Sequence, residues 1–469
     1  MTPRSQRIVL IALLVVSAAI KIGMFMTVRQ TDPQRIFHTD SGSYVRPALA
    51  LWHIGRFSRT PEEPKNPEIV RTPGYPLMMT GVFRLFGENY TAIILLQIAL
   101  SVMTLVLVYR LGSILWNTQV AILGVLLLSL DIPTVIVTQR LLTETLFTCI
   151  ILLGILLLIL SAGTPRYALF LAGTAGLCFG FATLIRPVAY YMPIPIVLGG
   201  IVMYRKSRRI SWTRIFCYCG LLLLPYILLV GGWQYRNYRL TGKAEFSYIQ
   251  GANFLFYRCA GIIAERDGIS AAEARHQLGF RRYADVHPET TDWSIAQLDT
   301  RWKQEGAALI RQHPQIFLKS QFKGMLTMLI GPGEQSLLEY IDGNSASGGP
   351  LRDLFRLSFQ KYLQTWVIER TGDVAMIGFS VGHLLLIYAC LPISLWAILR
   401  TRDQSWAFHL VIWLVMLYFV AVSAGPGAYS RFRIPIMPFF SLYAGHGIFQ
   451  IIRRKGCRDV QLNAPTIPT

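Results

Sequence analysis

Long apolar runs separated by short basic or proline-rich segments set the plan of this chain. The first run covers residues 8–28 and follows Arg4 and Arg7. Others lie at 90–110, 117–137, 141–162, 167–185, 188–204 and 214–233, and, after a gap, at 375–399, 405–424 and 433–452. Each is close to the roughly 20 residues that carry a helix across the hydrocarbon of a bilayer. A helix satisfies its own backbone where no water is present, so the pattern predicts an all-α polytopic membrane protein of about ten transmembrane helices. The first run lacks a clear small-x-small cleavage site and holds Lys21 near its far end, so it reads as an uncleaved helix rather than a signal peptide.

Two long segments, about 29–89 and 234–374, interrupt the apolar pattern. They divide the chain into an N-terminal membrane module (1–233) with a first outer loop at 29–89, an outer loop region at 234–374, C-terminal membrane helices at 375–453 and a tail at 454–469, disordered beyond Arg458. The first loop is rich in proline (Pro61, Pro64, Pro67, Pro73, Pro76), with a short helical stretch near 41–55. Residues 76–86 are apolar but too short to span. Residues 316–330 include Lys319 and Lys323. Both stretches read as interfacial helices.

Composition supports this plan. Only 15% of residues are charged, against roughly 25% in soluble domains, and 53% are hydrophobic. A formal charge of +20 on a soluble protein would suggest nucleic acid. Here the basic residues fall between apolar runs, which fits topology determinants and contact with membrane lipids, and no nucleic acid. Placing both termini in the cytoplasm puts Arg110, Arg166, Arg205, Lys206, Arg208, Arg209, Arg400, Arg402, Arg453, Arg454, Lys455 and Arg458 inside, and both long loops outside the cytoplasmic membrane. Of seven cysteines, only Cys259 falls in an outer loop, so no disulfide framework forms there, and all seven read as packing residues.

Candidate chemistry gathers at the outer helix ends. Asp40 opens the helical stretch of the first loop and shares a face with Tyr44; it is either an N-cap or a working carboxylate. Arg71-Thr72-Pro73-Gly74-Tyr75-Pro76 is a rigid turn, either a plain surface turn re-entering the membrane or one whose leading Arg71 is an anion ligand. Arg140 and Glu144 are four residues apart at the end of a membrane helix, and either pair with each other or serve a site. Arg186 precedes Pro187, Arg236 and Arg239 flank Asn237-Tyr238, and Arg431 and Arg433 open the last helix. Arginines so placed either snorkel to headgroups or build a phosphate site, since a guanidinium matches phosphate bidentately. No P-loop, paired metal-binding histidines or Gly-x-Ser-x-Gly elbow is present, so the usual carriers of nucleotide hydrolysis, zinc hydrolysis and serine esterase chemistry are missing. Scattered histidines and acids form no recognisable ligand set, which leaves a divalent metal open and names no cofactor.

Taken in order, Asp40 with Tyr44, the Arg71–Pro76 turn, Leu142-Thr143-Glu144-Thr145-Leu146-Phe147, Arg186-Pro187 and Arg431-Phe432-Arg433-Ile434-Pro435 resemble the C-type glycosyltransferase (GT-C) superfamily. Within it, the chain is most similar to the bacterial branch of protein O-mannosyltransferases and lipid A aminoarabinose transferases. The resemblance implies a GT-C-like helical bundle. It also implies transfer of a sugar from a polyprenyl-phosphate carrier to a lipid A, glycan or protein acceptor at the outer membrane face. It gives Asp40 the role of catalytic base in an inverting transfer. Tyr44, Arg71, Tyr75, Glu144, Arg186, Arg431 and Arg433 become the substrate-binding set. Many relatives carry two adjacent acids, whereas Asp40 is followed by Ser41, which turns attention to Glu62, Glu63 or Glu144 as a second carboxylate. The alternatives are a lipid-linked glycan flippase or other transporter, which would place charges at mid-helix or show repeats, and an oligosaccharide ligase.

Overall fold

The computed structural model describes residues 2–207, 211–342, 364, 371–401 and 406–462. Helix α1 (Pro3–Thr31) starts at Thr2, whose hydroxyl accepts from the Ser5 amide at 3.2 Å, with Pro3 in the first turn. The first long loop holds α2 (Gly42–Ile54) and α3 (Gly74–Phe86), with an isolated antiparallel bridge between Ser58 and Pro67 connecting the chain between them. There follow α4 (Tyr90–Leu115), α5 (Thr118–Ser129), α6 (Ile132–Thr138), α7 (Glu144–Gly163), α8 (Ala168–Ile185), α9 (Pro193–Ser207) and α10 (Trp212–Thr241). Beyond several short helices come Ile295–Gln312, Pro314–Ile330 and Glu334–Asp342, then Thr371–Thr401, Trp406–Ser423 and Met437–Leu462.

Helix α7 is apolar all round and buried along most of its length, between α4 and α8. Helix α8 in turn packs on α10, and Met437–Leu462 packs on α5 and Thr371–Thr401. Glycine sets the closest approaches, as in other membrane bundles: a Cβ on Gly176 would collide with the Leu222 carbonyl, and one on Gly447 with the Cys390 carbonyl. Ile11, Leu224, Leu228 and Leu385 are among the apolar side chains more than half exposed on the outside, a surface suited to lipid.

Among the described residues, seven helices are long and apolar enough to cross a membrane, and the chain is a multi-pass membrane protein. The run expected at 117–137 is instead α5 and α6, bent by 66°. Pro133 cannot continue α5, and Asp131 starts the new helix by accepting from the Thr134 amide at 3.1 Å. Counted as one broken span, the pair brings the number to eight. The runs at 188–204 and 433–452 fall short. A 3-10 turn at Pro187–Ala189 leaves α9 only 15 residues, and Met437–Leu462 carries His446 and Gln450 where a span would be apolar. Among the described residues, seven helices meet the demand of length and apolarity, or eight with the bent pair, beside the expected bundle of about ten.

The short apolar stretches are one-sided helices. Helix α3 buries Tyr75, Met79 and Phe83 and exposes Leu77, Leu85 and Phe86. Pro314–Ile330 exposes Leu318, Phe322 and Ile330. The last helix continues to Leu462, past the point where disorder was expected. Cys149, Cys259 and Cys390 are buried, whereas Cys217 is exposed rather than packed, and the side chain of Cys457 lies outside the described residues. Residues 343–363 and 365–370 of the expected outer region also lie outside them, as do Arg208, Arg209 and Arg402.

Candidate active site

Asp40 sits in the turn between the 3-10 segment Pro33–Ile36 and α2. Ser41, fully buried, fixes that turn. Its hydroxyl accepts from the His38 amide at 2.8 Å and donates to the Leu141 carbonyl at 2.9 Å. The Leu141 amide returns a bond to the Ile36 carbonyl at 2.9 Å. The loop after α1 is thereby held against the connection from α6 to α7. The Asp40 carboxylate caps no helix, for α2 has no side-chain cap. One of its oxygens accepts from Arg431 Nη1 at 2.9 Å and the other from Arg71 Nη2 at 3.3 Å.

Arg71 is delivered by its own turn. Buried Glu68 accepts the amides of Val70 and Arg71 at 2.6 and 2.7 Å. Thr72 donates to the Ile185 carbonyl at 3.4 Å, and a Cβ on Gly74 would meet the Ile185 amide at 2.7 Å, so the turn is seated on the end of α8. From there Arg71 Nη1 donates to the Tyr44 hydroxyl at 3.1 Å, and its guanidinium carbon lies 4.7 Å from the centre of the Tyr44 ring. Tyr75 packs against Tyr44. It is fully buried, edge-on to Tyr44 at 5.5 Å, and donates to Gln97 Oε1 at 2.7 Å. Gln97 Nε2 then donates to the carbonyls of Thr138 and Arg140 at 2.9 and 2.8 Å. Tyr75 is thus a strut between α3 and the α6–α7 connection rather than a surface presented to a ligand.

Glu144, fully buried at the start of α7, pairs with both Arg186 and Arg431. Arg186 also donates to the Thr143 hydroxyl at 2.8 Å. Arg140, four residues from Glu144, does not pair with it and instead meets Glu339 at 2.9 Å. Arg431 joins the two carboxylates, donating through Nε to Glu144 and through Nη1 to Asp40, with the Tyr429 hydroxyl at 3.2 Å. Arg186, Glu144, Arg431, Asp40 and Arg71 therefore form one continuous chain, in which three guanidiniums face two carboxylates. His38 adds no compensating or extra charge at neutral pH, because burial, then Arg431, lowers its pKa below the usual histidine value. Burial alone would raise the Asp40 carboxyl, but Arg431 and then Arg71 outweigh it and hold it below its ordinary value. The chain opens at one end: 38% of the Asp40 side chain is exposed, against 5% for Arg431.

Arg433 is not brought to this cluster. Its Nη1 donates to the carbonyls of Met328, Leu329 and Gly331 at 3.0, 2.6 and 3.0 Å, closing the C-terminal end of Pro314–Ile330. Expected beside substrate, it is a helix clasp. Arg433→Met should therefore lower the melting temperature in detergent by several degrees; a melting temperature equal to wild type would contradict the assignment. Arg236 is likewise structural, donating to the carbonyls of Glu68 and Phe57 at 2.7 and 3.2 Å, and Arg239 donates to the Tyr235 hydroxyl at 3.3 Å, away from the cluster. Glu62 and Glu63 are exposed. Sequence reasoning passed over Glu68, Gln97 and Tyr429. Gln97 had a signal, being the one amide in the apolar run 90–110. Among the described residues, no three His, Cys, Asp or Glu side chains are grouped to hold a metal ion. The exposed carboxylate, Asp40, already faces two guanidiniums, a setting that favours an anion over a cation.

Residues 70–233 match the family described as dolichyl-phosphate-mannose-protein mannosyltransferase. The apo oligosaccharyltransferase of Archaeoglobus fulgidus superposes with a TM-score of 0.52 at 10% identity, over 98% of this chain and 53% of that one. The chain shares its membrane fold with that oligosaccharyltransferase. Also similar are AglB from Archaeoglobus fulgidus in complex with an inhibitory peptide and a dolichol-phosphate (TM-score 0.46, 10% identity, 98% of this chain and 52% of that one) and ArnT from Cupriavidus metallidurans bound to undecaprenyl phosphate (0.38, 12%, 93% and 77%). The chain spans about half the length of the oligosaccharyltransferases it matches. Comparison with curated protein sequences gives no match. The matched family segment takes in Arg71, Tyr75, Glu144 and Arg186. Asp40, Tyr44 and Arg431 lie outside it, and it is the fold that carries them to the same cluster.

Proposed function

We propose that this chain is a glycosyltransferase that moves a sugar from a polyprenyl-phosphate carrier to a hydroxyl of a lipid, glycan or protein acceptor. The reaction takes place at the outer face of the cytoplasmic membrane, with both termini in the cytoplasm. The observation that carries the reading is the half-exposed Asp40 carboxylate gripped by Arg71 and Arg431, in a chain of ionic groups with one positive charge in excess. An anionic phosphate ester supplies the missing negative charge. It draws Arg71 and Arg431 from Asp40 through stronger, bidentate contacts. Asp40, relieved of its partners, becomes a better base and takes the proton of the acceptor hydroxyl as that oxygen attacks the anomeric carbon. The bond from the anomeric carbon to the phosphate oxygen breaks with its electron pair, and the arginines stabilise the charge that grows on the phosphate. The leaving group needs no proton, so one carboxylate suffices, in contrast to glycoside hydrolysis. The attack comes from the face opposite the phosphate, and the configuration inverts.

The test is mass spectrometry of envelope glycans with and without the protein, paired with release of polyprenyl phosphate from a polyprenyl-phosphate sugar by the purified protein in nanodiscs. In that assay Arg71→Ala should lower kcat/KM by about 100- to 1,000-fold, the range seen when one preorganised donor to a developing negative charge is removed. An unchanged glycan profile together with no acceptor-dependent release from the wild type would refute the assignment.

A further inference from the structure

A second concavity is built on segments that adjoin Arg186 and Arg71 along the chain, and it differs from the ionic cluster in chemistry. It has a volume of about 400 Å³ and is bounded by Tyr190, Tyr191, Gln234, Lys243, Glu245 and Gln250. Two of its walls lead directly to the cluster. Tyr190 follows the 3-10 turn Pro187–Ala189, which begins at Arg186. The opposite wall continues into Ser247 and Tyr248, which bond the carbonyls of Val70 and Ile69 at 2.6 and 3.1 Å, next to Arg71. The recess is also preformed. Tyr226 donates to the Tyr190 carbonyl at 2.6 Å, Gln234 Nε2 bridges the Tyr190 hydroxyl and the Ala244 carbonyl at 3.0 Å each, and the Tyr191 amide donates to the Tyr418 hydroxyl at 3.2 Å.

Its lining is polar and balanced in charge. The single cation, Lys243, donates to Thr300 at 2.7 Å, and the single carboxylate, Glu245, meets Lys303 at 2.9 Å. A phosphate or carboxylate ligand finds no excess positive charge here, unlike at Arg71 and Arg431. Two tyrosines, one of them 58% exposed, offer instead an aromatic face, and the Gln250 side-chain amide offers a paired donor and acceptor, while Gln234 Nε2 is taken up by the wall itself. That combination suits a ligand with an apolar C–H face ringed by hydroxyls. We propose that this recess is the subsite for a neutral saccharide unit of the acceptor, held by Tyr191 and Gln250 so that one hydroxyl points toward Asp40. The inference rests on the glycosyltransferase reading for its role but not for its ligand chemistry.

The experiment uses the full chain in nanodiscs, with methyl hexopyranosides and their disaccharides as probes. Saturation-transfer NMR should detect binding to the wild type and to Tyr191→Trp, and a drop of about tenfold in affinity for Tyr191→Ala and Gln250→Ala, the scale of one aromatic contact or one lost hydrogen bond. Undecaprenyl phosphate binding should be the same in all four proteins. In the transfer assay, the two alanine variants should raise the acceptor KM and leave the donor KM unchanged. Absence of saccharide binding to the wild type, or equal binding by both alanine variants, overturns the proposal. Should no donor turnover be found while saccharide binding is lost in these variants, the subsite stands and the glycosyltransferase reading alone falls. A glycan chain and a glycolipid headgroup are separated by repeating the titration with the free saccharide and with the same saccharide on a lipid in the nanodisc.

Discussion

Replacing Asp40 by asparagine is expected to reduce sugar transfer by about 100- to 10,000-fold, the contribution of a positioned general base. The fold should be unaffected, since Asp40 caps no helix and more than a third of its side chain is exposed. Donor affinity should hold or rise, because the substitution removes a carboxylate that competes with phosphate for Arg71 and Arg431. A fall in kcat with unchanged or lower donor KM is therefore the signature. Near-normal kcat would remove Asp40 from the chemistry. The pH profile gives a second reading. In the free enzyme the Asp40 pKa lies below the ordinary 3.8, so its base form is lost only as pH falls through that lowered value. The acid limb of kcat/KM should accordingly lie below pH 3.8. The limb of kcat, which reports the donor complex, should lie higher, because the phosphate has taken the arginines that depress the carboxyl.

The fold was largely legible because the bilayer makes a strong demand on sequence: runs of about 20 apolar residues have few other uses. The demand is on length and apolarity, and the runs at 117–137, 188–204 and 433–452 meet it least well. Pro133 follows Asp131 inside an apolar stretch, and hydropathy does not register a proline bend. In Met437–Leu462, His446 is satisfied inside the bundle by Ser394 at 2.8 Å and Gln450 at 2.9 Å, so the helix is buried by protein and need not be as apolar as a lipid-facing span.

The cluster was legible as a set of residue types but not as a set of partners. Asp40, Arg71, Glu144, Arg186 and Arg431 each stand at a helix end, where ionisable groups at membrane depth attract suspicion. Which arginine meets which acid depends on contacts across nearly 400 residues of sequence, and no local spacing records them. The i,i+4 relation of Arg140 and Glu144 suggested a pair, yet each found a partner on another element, Glu339 and Arg186. Arg431 and Arg433 differ by two positions in a 3-10 turn. That turn sends the first side chain to Asp40 and Glu144 and the second to the carbonyls of Pro314–Ile330. The sequence treats them alike, and the turn separates them.

Glu144→Gln is expected to be the most destabilising of the site substitutions. The carboxylate is completely buried and neutralises Arg186 and Arg431 together. Breaking a buried ion pair by removing one partner costs about 3–5 kcal/mol, since the remaining charge is left without compensation. The melting temperature of the purified protein should fall by several degrees. Adding Arg186→Met to the variant should restore part of the loss, because it removes one of the two stranded cations. Transfer should also weaken, through Arg431: without Glu144 its Nε loses its anchor, so the donor KM rises along with a fall in kcat. The shape of the pH profile distinguishes this positioning role from a second base. With Asp40 as the only proton acceptor, Glu144→Gln lowers the rate at every pH and keeps an acid limb, moved only as far as the change at Arg431 alters its hold on Asp40. An acid limb abolished in Glu144→Gln, or a melting temperature equal to wild type, would mean that Glu144 takes the proton itself or that its pairing carries no weight in the fold.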